Sequence, residues 1–174
     1  MADFKTAYAV LLPLEGGYAN VKNDRGGETY AGISRVFFPK WEGWKIIDKN
    51  KPLKHNAFIK DPKLDALKAA FYKTNFWDKI SGDHIQSQRI AGFLFDWLVH
   101  SGNTAIRHTQ AILKLKQDAK VGPITIAKIN QAHENLLHAS MKVDRIKFLK
   151  GIVARNSSQK KFLNGWLNRV DLFK

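Results

Sequence analysis

The sequence predicts a mostly α fold of the α+β type, a helical bundle with a small β-hairpin lobe near the N-terminus. Three observations carry that prediction. Apolar residues recur at helical spacing in segment after segment of the chain. Residues 18–33 are instead dense in Gly, Asn and Asp, with single β-formers between them, a pattern of turns and short strands. The 174 residues are 44% hydrophobic and 25% charged, ordinary globular usage and enough for one compact domain, or one domain with a small appended subdomain. No internal repeat or low-complexity tract interrupts this organisation.

The elements follow in order. Phe4, Ala7, Tyr8, Leu11 and Leu12 define an amphipathic first helix over residues 3–14, with Asp3 placed to cap it. Pro13 should kink or end that helix, and Gly16-Gly17 give the backbone freedom to leave it. Residues 34–62, with Trp41, Trp44 and three prolines, read as short helices joined by loops. Helices are then expected at about 62–74 (Leu64, Leu67, Phe71), 88–100 (Ile90, Phe93, Leu94, Trp97, Leu98), 103–116 and 123–134. Pro123 in "VGP" suits a first helical position. A long helix over 134–155 precedes the polar break "RNSSQKK" and the tail "FLNGWLNRV", to which no element is assigned.

Lys and Arg number 29 against 15 Asp and Glu, a net charge of +14, so the partner is expected to be anionic. Nucleic acid, an anionic membrane and the bacterial cell wall all meet that condition. Cysteine is absent, which excludes disulfides and thiolate chemistry. The apolar stretch from Ala7 to Leu14 is far shorter than the ~20 residues that span a bilayer, so no transmembrane segment is expected. The N-terminus shows no secretory pattern. Synthesis in the cytoplasm, followed by holin-like or other non-classical export, is the expected route to any substrate outside the membrane.

The stretch "LLPLEGGYANVKNDRGGETYAGIS" puts a carboxylate, Glu15, between an apolar helical stripe and two glycines. Continued past Leu14, the helical spacing sets Glu15 on the face of Leu11 and Leu12. A carboxyl group held against apolar side chains loses hydration in its charged form, which favours the protonated acid. Such an acid can protonate the leaving oxygen of a glycosidic bond. The alternative is a glutamate at a helix end that points to water, although the negative end of a helix dipole is a poor place for an idle carboxylate.

These residues resemble glycoside hydrolase family 108. The match runs through Glu15-Gly16-Gly17-Tyr18, Asp24, Gly26-Gly27, Thr29 and Gly32-Ile33, then "FYKTNFWDKI", "FDWLVHSG", "VGPITIAKIN" and "GWLNRV". That family comprises bacterial and phage N-acetylmuramidases of the endolysin kind, some described as secretion activators. The resemblance implies a lysozyme-like fold, with a catalytic region over 1–90 and a helical peptidoglycan-binding-like region over 91–174 packed on it, the sugar-binding cleft lying between. It implies Glu15 as catalytic acid, with Asp24 as base or charge stabiliser and Thr29 as a hydroxyl that positions water. On the residues alone, Asp24 reads equally as an Asx-turn residue of "NDRGG" and Thr29 as a plain strand residue. His100 and Ala119 depart from the family pattern, which usually has Asn and Gly there.

Candidates for substrate contact are Tyr18 and Tyr30, with Trp41 and Gly27; aromatic rings either take the apolar face of a sugar or fill the core. Asp96 offers a second carboxylate, or a hydrogen bond that orients a helix. The six histidines show no metal-ligand spacing, and no glycine run forms a phosphate loop, so neither a metal nor a cofactor is expected. Basic residues gather in the C-terminal half from Lys142 to Arg169, a solvated helix face or a patch for an anionic wall. The expected partner is the glycan strand of peptidoglycan, cut by a monomer at the β-1,4 bond between N-acetylmuramic acid and N-acetylglucosamine. Two other classes are a non-hydrolytic wall-binding or secretion-assisting protein and a nucleic-acid binder; "EGGY" through "GGETYAGI" has no reason to exist in the last, so no specific nucleic acid is expected.

Overall fold

Some helices open on a side-chain cap in the computed structural model, which describes residues 1–20 and 26–173. Asp3 Oδ1 accepts from Thr6 N–H at 2.8 Å and opens α1 (Phe4–Leu11). Asp61 Oδ1 accepts from Leu64 N–H at 2.9 Å ahead of Pro62, the first residue of α3 (Pro62–Tyr72). Ser87 Oγ does the same for Ile90 N–H at 3.1 Å in front of α4 (Gln88–Ser101). Each cap satisfies an amide that the helix itself leaves without a partner.

The chain forms two units, one of residues 8–73 and one of residues 1–7 with 74–174. In the first, β1 (Tyr18–Asn20), β2 (Glu28–Tyr30) and β3 (Ile33–Ser34) make an antiparallel sheet in the order β1-β2-β3. Tyr18 pairs with Tyr30 and Thr29 with Ser34, so Tyr18 and Tyr30 share one face and Thr29 takes the other. The Gly- and Asn-rich stretch read as a hairpin lobe is therefore a short three-stranded meander among the described residues. The segment that follows contains one α-helix, α2 (Gly43–Lys49), which packs with α3. Leu11, Tyr30, Ile33, Ile47, Leu64 and Tyr72 fill this unit's core.

In the second unit α4 is buried on every side from Ile90 to Leu98, a run whose one charged residue is Asp96. Helices α5 (Thr104–Ile112) and α7 (Glu134–Arg155) pack against α4 and each other, α8 (Lys160–Asp171) packs along α7, and α6 (Pro123–Gln131) follows α5 in the chain. Helix α5 stops short of the expected 116 because Lys114 takes a left-handed φ of +57°, which no helix continues through. The tail is helical after all. The polar break shrinks to a cap, in which Asn156 Oδ1 accepts from Ser158 N–H, and Leu163, Trp166, Leu167 and Val170 repeat at helical spacing along α8. No described helix is long and apolar enough to cross a membrane.

Candidate active site

Helical continuation does not place Glu15. The α-helix ends at Leu11, Leu12–Leu14 tighten into a 3-10 turn around Pro13, and Glu15 itself is extended, at φ −92° and ψ 128°. The expectation that Glu15 extends the Leu11–Leu12 stripe is thus corrected: a helix that has already ended cannot carry the next residue around its axis. Glu15 is half-buried, and another partner holds it.

That partner is the turn between β2 and β3. Gly32 has φ +73°, and a Cβ added there would lie 2.4 Å from Glu15 Oε2 and 2.7 Å from the Tyr72 hydroxyl. Both polar tips therefore rest against a bare Cα, which only glycine supplies. Tyr72, buried at the end of α3, donates to Ala31 C=O at 2.8 Å and fixes the turn from below. The Tyr8 ring lies 5.5 Å from that of Tyr72. Burial, reinforced by the negative charges of Asp65 and Glu15, raises the Tyr8 hydroxyl well above the usual phenol range.

Gly17 and Gly27 are set by close approach of neighbouring chain. A Cβ on Gly17 would meet Ala57 C=O and the Asn56 carbonyl at 2.6 Å each, because the chain there runs tightly against residues 56–57. Tyr18 N–H donates to Ala57 C=O at 3.0 Å, and Asn56 N–H donates back to Tyr18 C=O at 2.7 Å. Gly27, at φ +58°, leaves room for the Val36 side chain. Of the motif's glycines, Gly17 admits the backbone of residues 56–57 and Gly32 receives the Glu15 carboxyl.

Thr29 is half-buried on β2, on the sheet face opposite Tyr30. Tyr30 has no exposed surface; its hydroxyl accepts from Ile59 N–H at 2.8 Å and Lys68 lies over its ring. A ring so enclosed offers no face to a sugar, so the expectation of a Tyr30 platform is corrected to a core role. Tyr18 is likewise buried, and burial, together with a hydrogen bond to Glu28, raises its hydroxyl pKa. Trp41 is half-buried, edge-on to Trp44 at 5.3 Å and to Phe71 at 6.1 Å. Asp24 lies outside the described residues.

Sequence reasoning missed the Tyr8, Tyr72 and Glu28 contributions. Tyr72 stands in "FYKTNFWDKI", a stretch already singled out, but nothing local says that its hydroxyl reaches a turn 41 residues upstream, at Ala31. Glu28 is ion-paired to Arg35 at 3.0 Å and Lys51 at 2.6 Å, which ties the sheet to the segment around α2. Asp96, in the other unit, is 1% exposed and holds guanidinium groups with both oxygens. Arg145 Nη2 lies 2.7 Å from Oδ2 and Arg169 Nε donates to Oδ1 at 2.8 Å. Asp96 therefore joins α4 to α7 and α8. No three His, Asp or Glu side chains converge as a metal-ligand set among the described residues.

The family model for Glycosyl hydrolase 108 matches residues 8–102, more than half of the chain. The chain belongs to glycosyl hydrolase family 108. A second model, Predicted Peptidoglycan domain, matches residues 104–171. A solved structure of Brucella abortus SagA is similar at 25% sequence identity, covering 98% of this chain and 90% of that one, with a TM-score of 0.71. No curated protein matches the chain. The family-108 match takes in Glu15, Gly17, Gly32 and Tyr72, and the second match takes in α5 to α8. This family-108 chain is a glycoside hydrolase that acts on peptidoglycan.

Proposed function

We propose that the protein hydrolyses the β-1,4 bond between N-acetylmuramic acid and N-acetylglucosamine, with Glu15 as the general acid. The observation that supports this most is the seat of Glu15, a half-buried carboxyl group laid on the Cα of Gly32 beside the Tyr72 hydroxyl. A proton donor must reach the substrate and yet keep one orientation, and a turn built on glycine provides both. Glu15 gives its proton to the departing glycosidic oxygen, and water completes the cleavage at the sugar carbon. Thr29 steers that water by its hydroxyl, and Asp24 serves as base or stabilises the positive charge that develops on the sugar ring.

The test is release of muropeptides from purified sacculi. Glu15→Gln keeps the shape of the side chain and removes the acid, so release should fall by about a hundredfold or more while the circular dichroism spectrum stays unchanged. Mass spectrometry of the wild-type digest should show N-acetylmuramic acid at the new reducing end. Undiminished release by a folded Glu15→Gln protein, or N-acetylglucosamine at that end, would remove the assignment.

A further inference from the structure

The loop from Leu113 to Gly122, between α5 and α6, is built at a cost that packing alone does not explain. Two non-glycine residues in it, Lys114 at φ +57° and Ala119 at φ +62°, are left-handed, a strained conformation that gathers at ligand clamps. Gln110, 2% exposed, devotes its whole side chain to holding the loop. Its amide donates to Asp118 Oδ1 at 2.9 Å and Lys120 C=O at 3.0 Å, and its oxygen accepts from Ala119 N–H at 3.0 Å. Ala119 holds a conformation that glycine adopts without strain.

Two cavities open on either side of Gly122 and Pro123, of about 430 and 500 Å³. Both fall in the size range of ligand pockets. Lys116 and Lys120, both exposed, line the first. Asp118 Oδ1 there accepts from the Lys120 backbone N–H and the Gln110 amide, which also hold its pKa low. Two cations against one tied anion leave the first cavity positive. The second is lined by Val121, Ile126 and Ala127 beside the Ser81 hydroxyl and His84. Ile124, 72% exposed, stands at the lip of the first.

We infer that this pair of cavities holds the stem peptide of peptidoglycan, with a peptide carboxylate at Lys116 and Lys120 and the alanyl methyl groups in the apolar neighbour. The inference deepens the proposed function, since it names the part of the same substrate that the region matched as a peptidoglycan domain grips. A sugar would be met by an aromatic platform, and no Phe, Tyr or Trp lines either cavity among the described residues. A short peptide bearing carboxylates and methyl groups matches a cationic rim next to small aliphatic walls. The pinned loop lowers the ordering cost of binding.

The experiment uses the full chain as Glu15→Gln and measures sedimentation with insoluble sacculi, either intact or stripped of stem peptides by an amidase. Affinity for stripped sacculi should be at least about tenfold weaker, and Lys116→Ala with Lys120→Ala should weaken binding to intact sacculi by about as much. A soluble disaccharide tetrapeptide should shift the amide resonances of residues 116–126, and the bare disaccharide should not. Equal binding to both kinds of sacculi, or a double variant that binds like its parent, would overturn the inference. Muropeptide release by the wild-type chain is scored apart, so a failure of the hydrolytic mechanism and a failure of peptide binding give different results.

Discussion

Gly32 is the residue on which the candidate site turns. An alanine there would have to adopt φ +73° at a cost of roughly 1–2 kcal/mol, and its methyl group would meet Glu15 Oε2 and the Tyr72 hydroxyl below van der Waals distance. Gly32→Ala should therefore lower the melting temperature by several degrees, since about 1 kcal/mol is worth 2–4 °C at this chain length. It should also cut muropeptide release about a hundredfold, because a displacement of an ångström at the proton donor is enough for that. Calorimetry and the sacculus assay read the two effects separately. A Gly32→Ala protein with normal activity would show that the seat of Glu15 does not matter to the chemistry. The glycines of this motif were legible in the sequence as positions of backbone freedom. That Gly32 receives the Glu15 carboxyl was not, because the contact joins residues seventeen apart, across β1 and β2.

At the scale of elements, the α4–α7–α8 bundle is fixed by one buried anion. Removing Asp96 leaves Arg145, which has no exposed surface, without its counter-charge, and an uncompensated buried charge costs about 3–5 kcal/mol. Asp96→Ala should shift the urea midpoint accordingly, with Glu15 chemistry affected only through loss of folded protein. The same bundle carries a pH dependence. His100 is pushed down to about 4 by burial and then by the charges of Arg145 and Arg169, and His138 to about 4 by burial and then by Arg89 and Lys142. Both histidines fold neutral, so the unfolded chain binds protons first as pH falls through about 6.5. Their contribution to stability is complete above that pH and is lost progressively toward pH 4. Urea midpoints should fall between pH 7 and pH 5, and His100→Asn with His138→Asn should flatten that slope. The helices themselves were legible from spacing and caps; the α8 stripe was present too, hidden behind a run of polar residues that forms only a short cap.

Over the whole molecule, the net charge of +14 acts at long range on an anionic wall. Raising salt from about 0.1 M to about 1 M shortens the screening length from about 10 Å to about 3 Å, so sedimentation with sacculi should weaken steeply over that interval. Retention that ignores salt would assign binding to uncharged contacts instead. The sequence by itself determined the helical class, the positions of most helices, the glycine-dense lobe and the family, because each is written in spacing, capping residues and motif within a few turns of chain. Only the tertiary structure decided that Tyr30 is enclosed, that Asp96 serves two arginines from other helices, and that Glu15 rests on Gly32 rather than on its own helix. Those outcomes depend on which distant groups exclude water from a side chain, and local periodicity carries no record of such partners.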